Sequence, residues 1–280
     1  MKLGLAIWHY PHRTLCENID FFASHGFDAV SGLGDEIVGA CRDYETAKAL
    51  AAHISANNVA FTVHHKLPNQ RQSYSPEAFI DDIRVLRDWQ REYGLIDVLS
   101  FDVWQRDEDI PKRYIDFTLE LFSDTGTRIA VEDFGLTDDE RAQVEHLKGC
   151  EKFGYLMDLG HLNIRLGGTP TEDSRWFRFS GESGLEPGDR SGQAFYNALM
   201  SKEFPVFEMH IHNNDGCTDW HDFLDAGVMD IAAVCGAVKR FGFDGIMTIE
   251  TAPTWHKCFG EEADRRILGS LGYLKKCLEM

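Results

Sequence analysis

Between Val206 and Gly227 the chain reads VFEMHIHNNDGCTDWHDFLDAG. His210 and His212 alternate with Met209 and Ile211 in its apolar opening, and alternate residues of a strand share a face, so both imidazoles project the same way. Asn213, Asn214, Asp215, Asp219 and His221 follow directly. So many nitrogen and oxygen donors in so short a segment point to a divalent metal. The competing reading is a pair of hydrogen-bonded core histidines with no ligand role.

The elements that must position these donors alternate in type along the chain. Leu3 to Trp8 predicts a strand followed by His9 and Tyr10, and Thr14 to His25 a helix stopped by Gly26. Phe27 to Ser31 is a short second strand; Asp43 caps a helix from Tyr44 to Asn57. Val59 to His64 is a third strand closing on His64 and His65, and Ser75, Pro76 and Glu77 open a helix that runs to Tyr93. Ile96 to Phe101 is strand four, with Asp102 and Trp104 just beyond, before a helix from Pro111 to Phe122. Arg128 to Glu132 and Phe153 to Asp158 are strands five and six, each ending in a carboxylate, with a helix from Thr137 to His146 between them. His161 stands three residues past Asp158. Gly167 to Arg190 is rich in glycine, proline and charge without periodicity, which predicts a long inserted loop. A helix from Ser191 to Met200, strand seven at Val206, a helix capped by Asp230, strand eight from Gly245 to Glu250 and a closing helix from Glu261 to Leu278 complete the chain.

A strand followed by a helix, eight times over, specifies a parallel sheet closed on itself: an α/β fold, a single (β/α)8 TIM barrel domain spanning residues 1–280. Such barrels run to about 250 residues as one unit. Hydrophobic content of 43% with 26% charged residues is ordinary for a soluble domain, and no apolar run reaches the roughly 20 residues of a membrane helix. Lys and Arg number 28 against 46 Asp and Glu, a net charge of −18 that repels phosphate backbones. Neither nucleic acid nor membrane is therefore expected as a partner. Seven dispersed cysteines without a CxxC pair fit a reducing cytoplasm.

Barrel enzymes carry their chemistry at the carboxyl ends of the strands. Those ends bring His9, His64 or His65, Asp102, Glu132, Asp158, His210 or His212, and Glu250 to one mouth. Each alone is a weak signal. Two carboxylates ending the apolar runs RIAVE and GIMTIE are harder to dismiss, because an unpaired buried charge is costly and a bound cation offsets that cost.

VED at Val131 to Asp133, MDLGH at Met157 to His161, HIHNNDG at His210 to Gly216 with Asp219, His221 and Gly227, and TIE at Thr248 to Glu250 together resemble the xylose isomerase-like (β/α)8 superfamily. That superfamily includes sugar-phosphate isomerases and epimerases, inosose dehydratases and apurinic endonucleases. The resemblance covers essentially the whole chain and is unspecific about substrate. It implies a divalent metal, Mn2+, Mg2+, Co2+ or Zn2+, held by Glu132, Asp158, Glu250 and one strand-seven histidine. One alignment makes His210 that ligand and puts Asn213 where the family has aspartate; another makes it His212. His161 would bind substrate or, with Asp219 and His221, a second ion.

The function so implied is isomerisation or epimerisation of a sugar or related polyhydroxy carbonyl compound through a metal-stabilised enediolate, with Glu132 and Glu250 moving the proton. His161 and His212 would orient hydroxyls, and Trp8, His64, Trp104 and His221 would line the substrate. Dehydration of an inosose-type ketone is the alternative, and zinc-dependent cleavage at abasic sites a more distant one. The resemblance also implies assembly into homo-oligomers.

Overall fold

Every strand pairs in parallel with its successor, and the last returns to the first. In the computed structural model, which describes residues 1–68, 74–102, 110–133, 138–167 and 188–279, β1 (Lys2–Ala6), β2 (Ala29–Leu33), β3 (Ala60–Lys66), β4 (Ile96–Asp102), β5 (Arg128–Glu132), β6 (Phe153–Asp158), β7 (Val206–Ile211) and β8 (Ile246–Ile249) form a closed barrel. Around it lie α1 (Leu15–Ser24), α2 (Gly34–Cys41), α3 (Tyr44–Asn57), α4 (Pro76–Tyr93), α5 (Ile110–Leu121), α6 (Asp138–Val144), α7 (Leu159–Gly167), α8 (Gly192–Met200), α9 (Ile231–Phe241) and α10 (Gly260–Glu279). Polar caps begin the helices: Thr14 and Glu17 form a reciprocal capping box, and Asp43, Ser75, Ser191 and Asp230 each accept a first-turn amide.

Strand parity divides the side chains into two populations. Outward residues such as Leu5, Val30, Phe61, Leu99, Val131, Met157, Met209 and Ile249 pack with Ile19, Phe22, Leu50, Ile83 and Leu271 of the helices in the main core. The lumen is different. At its amino-terminal end Ala29, Ala60 and Ile246 pack together, as do Val98, Ala130 and Leu156. Above them Glu208 of β7 accepts hydrogen bonds from Thr62 of β3 and Thr248 of β8. Since β3 and β7 are not neighbours, a bond between them crosses the lumen. Two residues further along the same strands come His64, His210 and Glu250, so parity alone delivers them to the mouth.

The elements that differ from expectation do so for local reasons. β1 ends at Ala6, and Ile7–His9 curl into a 3-10 helix that carries Trp8 and His9 over the mouth. The second strand lies slightly later than predicted, at Ala29–Leu33. Two helices were not foreseen. In α2, two glycines mask the period with which Ile37 and Val38 bury one face, and Gly34 is required because a Cβ there would meet the His65 ring at 2.3 Å. In α7 the helix starts at once after β6, within the motif that runs from Asp158 to His161. Residues 168–187, most of the predicted insertion, and Trp104 lie outside the described residues. No helix among the described residues is long and apolar enough to cross a membrane.

Candidate functional site

Asp158 explains why its motif is compact. It is the last residue of β6 and immediately precedes α7, where its Oδ1 accepts the backbone N–H of His161 at 2.8 Å, as an N-cap aspartate does. The Asp-x-x-His spacing is thus that of a cap and its third helical residue. His161 is thereby fixed beside the carboxylate that starts its own helix. Gly160 between them gives room: a Cβ there would strike the His212 ring at 2.3 Å.

Besides His9 at the rim, five imidazoles among the described residues reach the lumen, and four of them share one orientation. Nδ1 of His212 donates to the Asn213 carbonyl (3.2 Å), Nδ1 of His221 to the Glu250 carbonyl (2.7 Å) and Nδ1 of His161 to Asp133 Oδ2 (2.8 Å). Ser100 gives its proton to the Val63 carbonyl and so accepts from Nδ1 of His64 at 3.0 Å. With Nδ1 committed, each ring turns Nε2 to a carboxylate: His212 to Asp158 (3.3 Å), His221 to Asp219 (3.2 Å), His161 to Asp219 (3.3 Å) and His64 to Glu132 (3.3 Å). A neutral ring that donates from Nδ1 presents a lone pair at Nε2. A lone pair facing a buried carboxylate is repelled unless a proton or a metal ion lies between them. An outer partner that fixes the tautomer and aims the other nitrogen inward is the arrangement of metal-ligating histidines. His210 is the exception, with Nδ1 2.9 Å from Glu250 Oε2 and Nε2 3.5 Å from Glu208 Oε1.

These groups fall into overlapping sets whose ligand atoms lie within 4.8 Å of one another: Glu132, Asp158 and His210; Asp158, His212 and Glu250; His161, His212, Asp219 and His221; and His64, Asp102 and Glu132. Asp158 Oδ2, His210 Nε2 and His212 Nε2 are buried without a hydrogen-bond partner among the described residues. Hard oxygen and imidazole donors with unspent lone pairs suit a divalent cation.

The electrostatics agree. Burial works against the charge of Glu132, Asp158, Asp219 and Glu250, yet the surrounding imidazoles hold all four carboxyls below their ordinary range. Burial likewise opposes protonation of the rings. Asp158 and Asp219 nevertheless raise His161 well above 6.5, Glu250 and Glu208 do the same to His210, and Asp219 and Glu250 lift His221 to about 9. His9, beside His221 and Trp255 at the rim, is instead lowered to about 4, chiefly by burial.

The remaining candidates are now placed. Trp8 stacks on His64 with ring centroids 6.0 Å apart, and His221 stacks on His212 at 3.9 Å. His64 faces the lumen, whereas His65 points out of the barrel and meets Tyr74. Asp215 caps its own turn through the amides of Cys217 and Thr218. Arg190 spends its guanidinium on the carbonyls of Asn163 and Gly216. Two residues that sequence reasoning passed over are Asp133, which orients His161 from a left-handed backbone (φ 50°), and Glu208, the charged floor of the site. Asp133 lay in plain view within VED; Glu208 carried only its odd position in an apolar run.

Asn213, which the alignment on His210 sets where the superfamily has aspartate, has a structural task. Its Nδ2 donates to the carbonyls of Leu224 and Met229, while Oδ1 accepts from the amides of Asn214 and Met229. Gly227 passes so close that a Cβ would lie 2.4 Å from that oxygen. Only an amide both donates and accepts here. Asn213→Asp would aim a carboxylate at two carbonyls and is expected to cost roughly 2–3 kcal/mol of stability, read as a lower urea midpoint; an unchanged midpoint would show that the clamp is dispensable.

No family model matches the chain. A curated relative, an uncharacterized protein of Methanocaldococcus jannaschii, is 22% identical over 139 residues, 47% of this chain and 39% of that protein; the chain therefore spans less than half the length of the relative it matches. Among solved structures, a D-tagatose 3-epimerase-like protein superposes with a TM-score of 0.69 at 18% identity, covering 100% of this chain and 97% of that one. A xylose isomerase domain protein from Alicyclobacillus acidocaldarius gives 0.67 at 16% over 100% and 98%, and a probable 3-DHS dehydratase, AsbF, from Bacillus anthracis gives 0.63 at 13% over 98% and 99%. At such identities the likeness is one of fold.

Proposed function

We propose, starting from a barrel whose structural neighbours are xylose isomerase-like (β/α)8 proteins, that the chain is a divalent-metal-dependent isomerase or epimerase of a sugar or related polyhydroxy carbonyl compound. The observation that carries this reading is that Asp158 lies within ligand distance of Glu132 and His210 in one set and of His212 and Glu250 in another, so that groups from the ends of four successive strands converge on it. Glu132, Asp158, Glu250 and His212 would hold the ion; His212 is preferred to His210 because its Nε2 faces Asp158 with Nδ1 already committed to a carbonyl. When bound, the cation supplies Lewis-acid polarisation of a carbonyl and its neighbouring hydroxyl, which acidifies the carbon between them.

The chain's own groups do the rest. Glu132 and Glu250, both ionised near neutrality, are placed at the ends of β5 and β8 to take a proton from that carbon and return it. His161 orients a substrate hydroxyl or, with Asp219 and His221, holds a second ion. Trp8, stacked on His64, and Trp255, set edge-on to His221 at 5.0 Å, wall the mouth with apolar surface suited to the carbon face of a sugar. The epimerase names among the structural neighbours support the substrate class.

The AsbF neighbour supports a dehydratase as the second reading, using the same base to start loss of a hydroxyl. The deciding experiment is metal analysis followed by proton NMR of deuterium wash-in from heavy water, over a panel of ketoses and inososes. One or two ions with deuterium entering recovered ketose supports the isomerase. Loss of water from an inosose establishes the lyase instead. Three zinc ions with cleavage of abasic DNA would overturn both.

A further inference from the structure

The loop after β7 folds back on itself. Asn213 and Asp222 exchange backbone hydrogen bonds at 3.0 and 2.7 Å, and the residues between them carry Asp219 and His221 to the mouth. Each side of this loop is tied to a different element. On the His221 side the tie runs to the segment after β8, since Nδ1 of His221 donates to the Glu250 carbonyl (2.7 Å) and the Ala252 amide donates to the His221 carbonyl (2.9 Å). On the other side it runs to α7. Nδ2 of Asn214 donates to the Gly160 carbonyl (2.9 Å), while Oδ1 accepts from Asn163 Nδ2 (2.8 Å) and from the Gly216 amide (2.9 Å). Arg190 completes this tie, giving Nη2 to the Gly216 carbonyl (2.7 Å) and Nε to the Asn163 carbonyl (3.3 Å).

The parts fit one another closely. Asn214 and Asn163 are fully buried, and only an amide can both donate and accept as Asn214 does. A Cβ on Gly167 or on Gly216 would run into the Arg190 guanidinium, and Gly216 turns besides with φ 78°. Asp215 accepts the amides of Cys217 and Thr218, so the arm that leads to Asp219 is a stiff turn and moves as a unit. The anchor points decide what the tie does. Gly160 directly precedes His161, and Gly216 lies three residues before Asp219, whose Oδ2 is 3.3 Å from Nε2 of His161. The α7 tie therefore spans the His161–Asp219 contact, whereas the β8 tie holds the His221 ring. We infer that Asn214, Asn163 and Arg190 are positioning residues that set the distance of Asp219 from His161. The inference rests on the reading in which His161, Asp219 and His221 hold a second ion, and the three residues act on that ion through Asp219.

Asn214→Ala strips three hydrogen bonds from the interior and so burdens folding as well as position. Arg190→Met is the gentler variant, since it removes two bonds from a half-buried side chain and keeps an aliphatic stem. In Arg190→Met one of two Mn2+ ions is expected to bind about 10- to 100-fold less tightly, as loss of an outer partner does, while the other is held as in the wild type. Arg190→Lys, which still reaches a carbonyl, recovers part of the loss. Titration with Mn2+ alone, followed by the electron paramagnetic resonance signal of the free ion, reads these variants. Equal weakening of both ions, or of neither, would overturn the assignment. A second measurement needs no metal. In the metal-free protein the ring resonances of His161 and His221, the two partners of Asp219, should move in Arg190→Met while those of His64, held by Glu132 and Ser100, stay in place. A merely structural role would instead lower the melting temperature and leave the three rings unmoved or shift them alike, and either pattern refutes the tie. Should the wild type bind a single Mn2+, the second ion falls, and the ring comparison alone decides the positioning role. Neither measurement uses a substrate, so the outcome is separate from that of the isomerase reading.

Discussion

Glu250→Gln is expected to leave the barrel folded and to lower turnover by roughly two to four orders of magnitude, the span one acid–base group contributes. Glutamine matches the volume of the side chain and still offers an oxygen to His210, so packing is preserved. The proton acceptor and the negative charge are both lost. Glu132→Gln should act alike, since that carboxylate sits between His64 and His161 at 3.3 and 3.2 Å and is equally buried. If the two act as a unit, the double variant will be little worse than the poorer single one. Turnover would be followed by deuterium wash-in on whichever ketose proves active, with circular dichroism to check the fold. Full activity and retained metal in both variants would end the two-carboxylate scheme.

The second large effect concerns pH. His221 is raised to about 9 by Asp219 and Glu250 against the pull of burial, whereas an unfolded histidine titrates near 6.5. Protons therefore stabilise the metal-free native state: the contribution is complete below about pH 6.5 and is lost as pH rises through about 9. On the reading that His221 holds a second ion with His161 and Asp219, that ion must displace the proton from Nε2, so its apparent affinity should rise with pH over the same window, about tenfold per unit for each proton released. The carboxylates, held below their ordinary values, contribute stability above about pH 4 and are already ionised here, so they add no slope. The gap in melting temperature between metal-loaded and chelated protein is thus expected to widen from pH 6 to pH 9. A constant or narrowing gap would mean that His221 is not a ligand.

How much of this was legible in the sequence depended on whether a residue's neighbours in space were also its neighbours along the chain. β5 and β6 read cleanly because an apolar run ending in a carboxylate is a local pattern, and α3 and α4 because Asp43 and Ser75 announce them. The motif Asp158 to His161 was visible, but its reason, one oxygen capping a helix, required the backbone. His64 could not be told from His65, since both continue the same strand and only the closure of the barrel decides which face of that strand lies inside. Glu208 and Thr62 are 146 positions apart, and no local rule joins them.

The double duty of Asp158 limits how this protein could be re-engineered. A single atom ends one secondary structure, begins the next and borders the reactive centre, so lengthening that side chain even by one methylene would dislodge all three together. The rim tryptophans carry no such burden. If the proposed function holds, directed evolution toward new substrates should accordingly prosper by varying Trp8 and Trp255 and stall at Asp158.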